Sequence, residues 1–315
     1  MIVARFAGTT PTNSILAAIR AGDVGGIVLF ADNTARGVRA TRSLVRKLQD
    51  AATAGHNPRL LIMTGQEGGQ AEAFAGKAPV FSASRMGNPV LAARRGAATA
   101  RLLRAAGVNV DLAPVADVTR LDGFMTLEHR TFGSDPAKVA LAACAFAKAL
   151  AHGKVGYTLG RFPGLGDAAA NTAAGPVSVD ESAAMLHADD AAYRRCGAGS
   201  RALVMVSSAS YPQLTGSAPA VISPAIYDQV LPSDGVHVVT ISDDFQAQAI
   251  AGLPGPAHDA INAGLDMVMY AQTEAASANA YQRLYQEAEQ GAISQARIRA
   301  AWLKVRKLKQ SLHLL

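Results

Sequence analysis

The sequence predicts an α/β fold: a (β/α)8 barrel of the TIM type, one domain over residues 1–315. Three observations predict it. Eight short apolar, β-branched segments alternate with segments of helical periodicity, the pattern of a parallel sheet. At 315 residues and 50% hydrophobic content, the chain modestly exceeds the ~250 residues typical of one such barrel. No G-x-G-x-x-G follows the first segment, which weighs against the alternative, a doubly wound open sheet.

The strands are expected at 1–6, 25–31, 59–64, 108–113, 155–159, 202–207, 236–241 and 265–270. Helical periodicity is clear at 38–52, 139–150 and 180–195. The last helix carries Ile298, Trp302, Val305 and Leu312 on one face and is expected to cap the outer ring. Loops rich in Gly, Pro and Ser fall at 162–176 and 211–219. There is no internal repeat and no low-complexity linker.

Composition narrows function. The net charge is +6, but the basic residues are scattered, apart from Lys304, Arg306, Lys307 and Lys309, which read as a solvated helix face. No nucleic-acid module is visible, so no nucleic-acid partner is expected. No apolar run reaches the ~18 residues of a membrane span. Met1 leads straight into a strand, so no signal peptide is expected here; the compartment is the cytoplasm, or an exported one after leader removal. Cys144 and Cys196 have no ligand spacing to another Cys or His, so neither a metal site nor a disulfide framework is expected, and a single bridge between them stays open. No cofactor is expected.

Barrel chemistry sits where strands end on their C-terminal side. That rule selects residues 31–33, 65–69, 111–117, 160–167, 207–208, 242–244 and 270. Distinctive motifs fall there. They include Gly25-Gly26-Ile27-Val28-Leu29-Phe30 followed by Ala31-Asp32-Asn33, Gln66-Glu67-Gly68-Gly69, and Ala113-Pro114-Val115-Ala116-Asp117-Val118. Further on come Arg130-Thr131-Phe132-Gly133-Ser134-Asp135-Pro136, Phe162-Pro163-Gly164, Ser242-Asp243-Asp244-Phe245 and Ala263-Gly264-Leu265-Asp266-Met267.

In this order and spacing, the seven motifs resemble those of the family 3 glycoside hydrolases, in the branch of single-domain β-N-acetylglucosaminidases that act on peptidoglycan fragments. The resemblance implies a retaining mechanism: a carboxylate attacks the anomeric carbon, and water releases the glycosyl-enzyme. Asp243 matches the nucleophile, while Asp244 reads as the N-cap of the next helix. In that branch an Asp-x-His pair on the loop after the fifth strand supplies the proton. It falls here on Asn171 and Ala173, neither of which is a general acid.

The sugar-gripping residues are also reduced. The Asp that opens D-Q-E-G-G is Gly65, and the downstream Arg of that turn is Ala73. The Lys-His before F-P-G is Gly160-Arg161, the second His of that loop is Leu165, and the His after the sixth strand is Ser208. Arg130 persists. Arg130, Arg161, Asp117, Glu67 and Ser208 are the expected substrate-binding residues. Glu67 is expected to fix its turn through backbone N–H groups, and Asp167 to be structural. His129, Asp122 and Glu128 lie near enough to the mouth to be weighed as replacement acids.

Three readings follow. The chain is a family member that has lost or altered hydrolysis and binds a glycan, a peptidoglycan fragment or an unidentified protein. Or it is an active retaining glycosidase with a relocated acid. Or the barrel serves unrelated chemistry or a purely structural role, the latter favoured by a mouth filled by Phe162 and Leu165.

Overall fold

The computed structural model describes residues 1–315. Its eight parallel strands are β1 (Ile2–Ala4), β2 (Gly26–Leu29), β3 (Leu61–Thr64), β4 (Val110–Asp111), β5 (Gly156–Phe162), β6 (Ala202–Val206), β7 (Val239–Asp244) and β8 (Met267–Met269). They close in sequence order, with β8 pairing back onto β1. All eight lie within or beside the segments expected, so the barrel is the observed architecture.

The strands are buried on both faces, as parallel strands covered by helices must be. Period-2 alternation divides them. Val3, Val28, Leu61, Met63, Val110, Leu203, Met205, Val239, Ile241 and Met267 fill the barrel interior. Ile2, Ala4, Ile27, Leu29, Ile62, Val204 and Val268 face the surrounding helices and join the larger core.

The outer ring includes α1 (Asn13–Ala21), α2 (Val38–Ala54), α3 (Pro89–Ala106) and α4 (Pro136–His152). Asn88 and Asp135 cap α3 and α4 with side-chain oxygens, each followed by Pro at the first helical position. The helix expected over 180–195 is two pieces, α5 (Ala183–Asp189) and α6 (Ala191–Cys196). The break falls at Asp190, whose buried carboxyl lies against that of Asp234. Cys144 on α4 and Cys196 at the end of α6 form a disulfide with Cα atoms 5.8 Å apart, the bridge that the sequence left open. After α7 (Pro256–Ala263) and α8 (Glu274–Glu289) comes the final helix, α9 (Gln295–Ser311).

That final helix departs from expectation. It closes the bottom of the barrel instead of joining the outer ring: Val305, Leu308 and Leu312, with Leu314 beyond, pack into the interior cluster. Ile298 and Trp302 are not on the buried face; they remain 44% and 53% exposed. At 3.6 residues per turn they lie to one side of the Val305–Leu308–Leu312 stripe, and only that stripe meets the barrel.

Candidate active site

Asp243 reaches the mouth by strand periodicity. Val239 and Ile241 point inward, so the next alternate residue does too, above the last packed layer. Arg161 reaches it by a different route. Strand β5 shifts register against β6 between Gly160 and Phe162, and this irregularity lets the adjacent residues Gly160 and Arg161 both line the mouth. Phe162 is then turned outward into the helix-facing core.

The mouth encloses a cavity of about 290 Å³ whose charged lining is Glu67, Arg130, Arg161, Asp243 and Asp244, with Phe30, Leu112, Met205 and Met269 among its apolar lining. Phe162 and Leu165 are buried in the outer core, so they do not fill it. Arg161 Nε donates to Asp243 Oδ2 at 2.7 Å. The other Asp243 oxygen accepts the Asp244 N–H at 2.8 Å. Burial pushes the Asp243 carboxyl up, but the charge and hydrogen bond of Arg161, the Asp244 N–H and the charge of Arg130 together hold it below the usual carboxylate range. It is an ionised carboxylate at neutral pH.

Glu67 sits on a short hairpin, Gln66–Gly68 with Ala71–Glu72. Gly68 is obligatory there: its φ is +98°, and a Cβ would lie 2.1 Å from the Phe81 carbonyl oxygen. Both Glu67 oxygens are taken by Arg130, at 2.9 and 2.8 Å, and not by backbone N–H groups as expected. Glu128 holds a further nitrogen of Arg130 at 3.2 Å. A fork-on-carboxylate pair is rigid because planar geometry fixes both partners.

Asp244 is not a helix cap. Its carboxylate accepts from the N–H groups of Gln246 and Ala271 and from the Gln272 side chain, strapping the end of β7 to that of β8. It also lines the cavity, a place the strand-end rule selects, although its side chain read as a cap.

The remaining expected residues are arranged differently. Asp117 is buried, and one oxygen accepts from the N–H groups of Arg161 and Leu165. It ties the end of β5, which carries Arg161, to the loop that follows, and is not part of the lining. Burial pushes its carboxyl up, against the charge of Arg161. Ser208 is buried and also absent from the lining. Asp167 accepts from the N–H groups of Arg120 and Leu121, a structural role as expected. His129 and Asp122 are exposed and do not line the cavity. The carbonyls of Thr172 and Ala173 accept from the N–H groups of Ala249 and Gln248, docking that loop on the segment after β7. Neither Asn171 nor Ala173 reaches the cavity.

A closed parallel barrel with carboxylates and guanidinium groups gathered around a cavity at its C-terminal mouth is the arrangement in which barrel enzymes place their active sites. Residues 3–308 match the model of the glycosyl hydrolase family 3 N-terminal domain, and the chain belongs to that family. It is 32% identical over 267 residues to a beta-hexosaminidase of Xanthomonas axonopodis pv. citri, covering 80% of this chain and 77% of that one. It is 30% identical to an uncharacterized secreted glycosyl hydrolase of Arthroderma benhamiae, covering 84% and 78%. A family 3 beta-N-acetylglucosaminidase from a Paenibacillus species superposes with a TM-score of 0.92 at 25% identity, over 99% of this chain but only 61% of that one. A beta-N-acetylhexosaminidase from Beutenbergia cavernae gives 0.88 at 29% identity, covering 98% and 96%. The chain thus falls in the β-N-acetylglucosaminidase branch.

Proposed function

We propose that this barrel binds an N-acetylglucosamine-containing glycan, such as a peptidoglycan fragment, at its mouth, and that hydrolysis there is lost or strongly altered. One observation carries this. The cavity's three carboxylates are each engaged: Asp243 by Arg161, Glu67 by Arg130, and Asp244 by backbone and Gln272 donors. No histidine lines the cavity. Leaving-group departure needs a positioned proton donor, and its loss costs about 10²–10⁴ in rate. Binding tolerates that loss, and a cavity of about 290 Å³ lies near the small end of ligand sites.

The test pairs turnover of p-nitrophenyl β-N-acetylglucosaminide with calorimetric binding of N-acetylglucosamine, in the parent and in Asp243→Asn. Binding without Asp243-dependent turnover is expected. Robust turnover that vanishes in Asp243→Asn would overturn the reading.

The ionised state of Asp243 favours a second reading, an active retaining glycosidase with a relocated acid. A nucleophilic carboxylate must be unprotonated, and Arg161 keeps this one so. A fluorinated glycoside that traps the covalent intermediate then labels Asp243. No label across a broad sugar panel counts against it.

A further inference from the structure

The opposite end of the barrel carries a second cavity, of about 280 Å³, between the last turns of α4 and α6 and the N-terminal ends of β5 and β6. Lys148, His152, Arg195 and Arg201 line it, and no acidic side chain does. The side chains of Lys148, His152 and Arg195 make no ion pair or hydrogen bond within the chain. Arg201 spends Nε on the Ser311 carbonyl and Nη1 on that of Ala151, and its remaining nitrogen is free.

Helix ends explain part of this. A C-terminus carries roughly half a negative charge and attracts cations to its last turn. Two such ends do not balance three permanent cations and an imidazole, and α6 is only six residues long. Like charges converging without a counter-charge repel, so the arrangement favours an anion from outside.

The walls are also held in place. The Cys144–Cys196 disulfide joins the two helices, with Cys144 one turn before Lys148 and Cys196 itself in the lining. The turn Ala198–Gly199–Ser200 also lines the cavity. Tyr157 pins this turn by donating to the Cys196 carbonyl at 2.6 Å, and a Cβ on Gly199 would lie 2.4 Å from the Tyr157 oxygen. The N–H groups of Ala198, Gly199 and Ser200 find no acceptor within the chain. Cations arranged around free backbone donors suit a tetrahedral oxyanion.

The geometry points to a phosphate-group site here, remote from the glycan-binding mouth and independent of what happens there. The shared chemistry is a phosphate oxyanion, borne by free phosphate, a phosphomonoester or an anionic lipid headgroup. A barrel's bottom face is not where its chemistry occurs, so the site serves anchoring or recruitment rather than turnover.

The test titrates the intact protein with inorganic phosphate at low ionic strength, and separately sediments it with phosphatidylglycerol or phosphatidylcholine vesicles. Lys148→Ala/Arg195→Ala is compared with Arg42→Ala/Lys47→Ala, which removes the same charge from exposed positions on α2. Lys148 and Arg195 are exposed, and circular dichroism checks that the variant folds. Loss of charge-assisted bonds weakens binding about tenfold or more. Saturable phosphate binding lost in the first variant and kept in the second supports the site with a soluble ligand. Sedimentation with phosphatidylglycerol alone, lost in the same selective way, supports it with a lipid headgroup. Binding in neither arm, or equal loss in both variants, overturns it.

Discussion

Arg161 holds the charge of Asp243 at the mouth. Where the family resemblance places a histidine, a permanent cation now grips Asp243 at 2.7 Å. The sign of the resulting pH dependence is defined. A carboxyl held below its unfolded value adds stability that is present above about pH 4 and is lost as pH falls through the folded value. Arg161→Gln is therefore expected to lower stability by about 1–2 kcal/mol at pH 7, a modest figure because Asp243 is 25% exposed. Urea unfolding at pH 7 and pH 3 should show the deficit shrinking in acid. Asp111 behaves in the opposite way. Burial pushes it up to about 8, against one hydrogen bond from the Gln66 N–H. The folded chain holds a proton that the unfolded chain has released, so this residue costs increasing stability as pH rises from about 4 to 8. Asp111→Asn should thus gain on the parent in melting temperature across that window, and a constant difference would refute the assignment.

Among the elements, the loop after β5 contributes neither Asn171 nor Ala173 to the cavity lining. The family resemblance, aligned on Phe162-Pro163-Gly164, puts its Asp-His pair at Asn171 and Ala173, whose amide and methyl group cannot donate a catalytic proton. The loop's docking on Gln248 and Ala249 was not legible, because backbone-to-backbone bonds carry no side-chain signature. The Glu67–Arg130 pair shows the same limit. Each residue stood out in its motif, but their meeting across 63 positions of sequence depends on neighbouring barrel strands. The helix break at Asp190, whose carboxyl lies beside that of Asp234, likewise carries no mark in the helical period. The Cys144–Cys196 bridge ties α4 to α6 across a sequence separation of 52. A loop of that size is stabilised by roughly 4 kcal/mol in the chain-entropy picture, and measured effects typically fall at 2–4. Cys144→Ser/Cys196→Ser should lower denaturant stability by about that amount; an unchanged midpoint would show that the bridge adds no constraint.

For the molecule as a whole, closure depends on its final helix. Leu308 is buried where α9 meets the barrel interior, so Leu308→Ala should cost about 2–4 kcal/mol by opening a cavity under the strands. A value near that of an exposed position, such as Leu303→Ala, would show that the plug is dispensable. The eight strands, their parallel order and the motifs that carry the family resemblance were legible from the sequence alone. These are local properties: β-branched runs, turn glycines and short motifs fix backbone conformation and chemistry wherever they occur. Only the tertiary structure decided which charged groups meet. It paired Arg161 with Asp243 and Arg130 with Glu67, and drew Asp117 beneath the mouth. It turned the last helix inward as a plug and gathered Lys148, Arg195 and Arg201 around one cavity. An ion pair forms through space, over distances set by how strands register and helices pack, and no spacing along the chain encodes those distances.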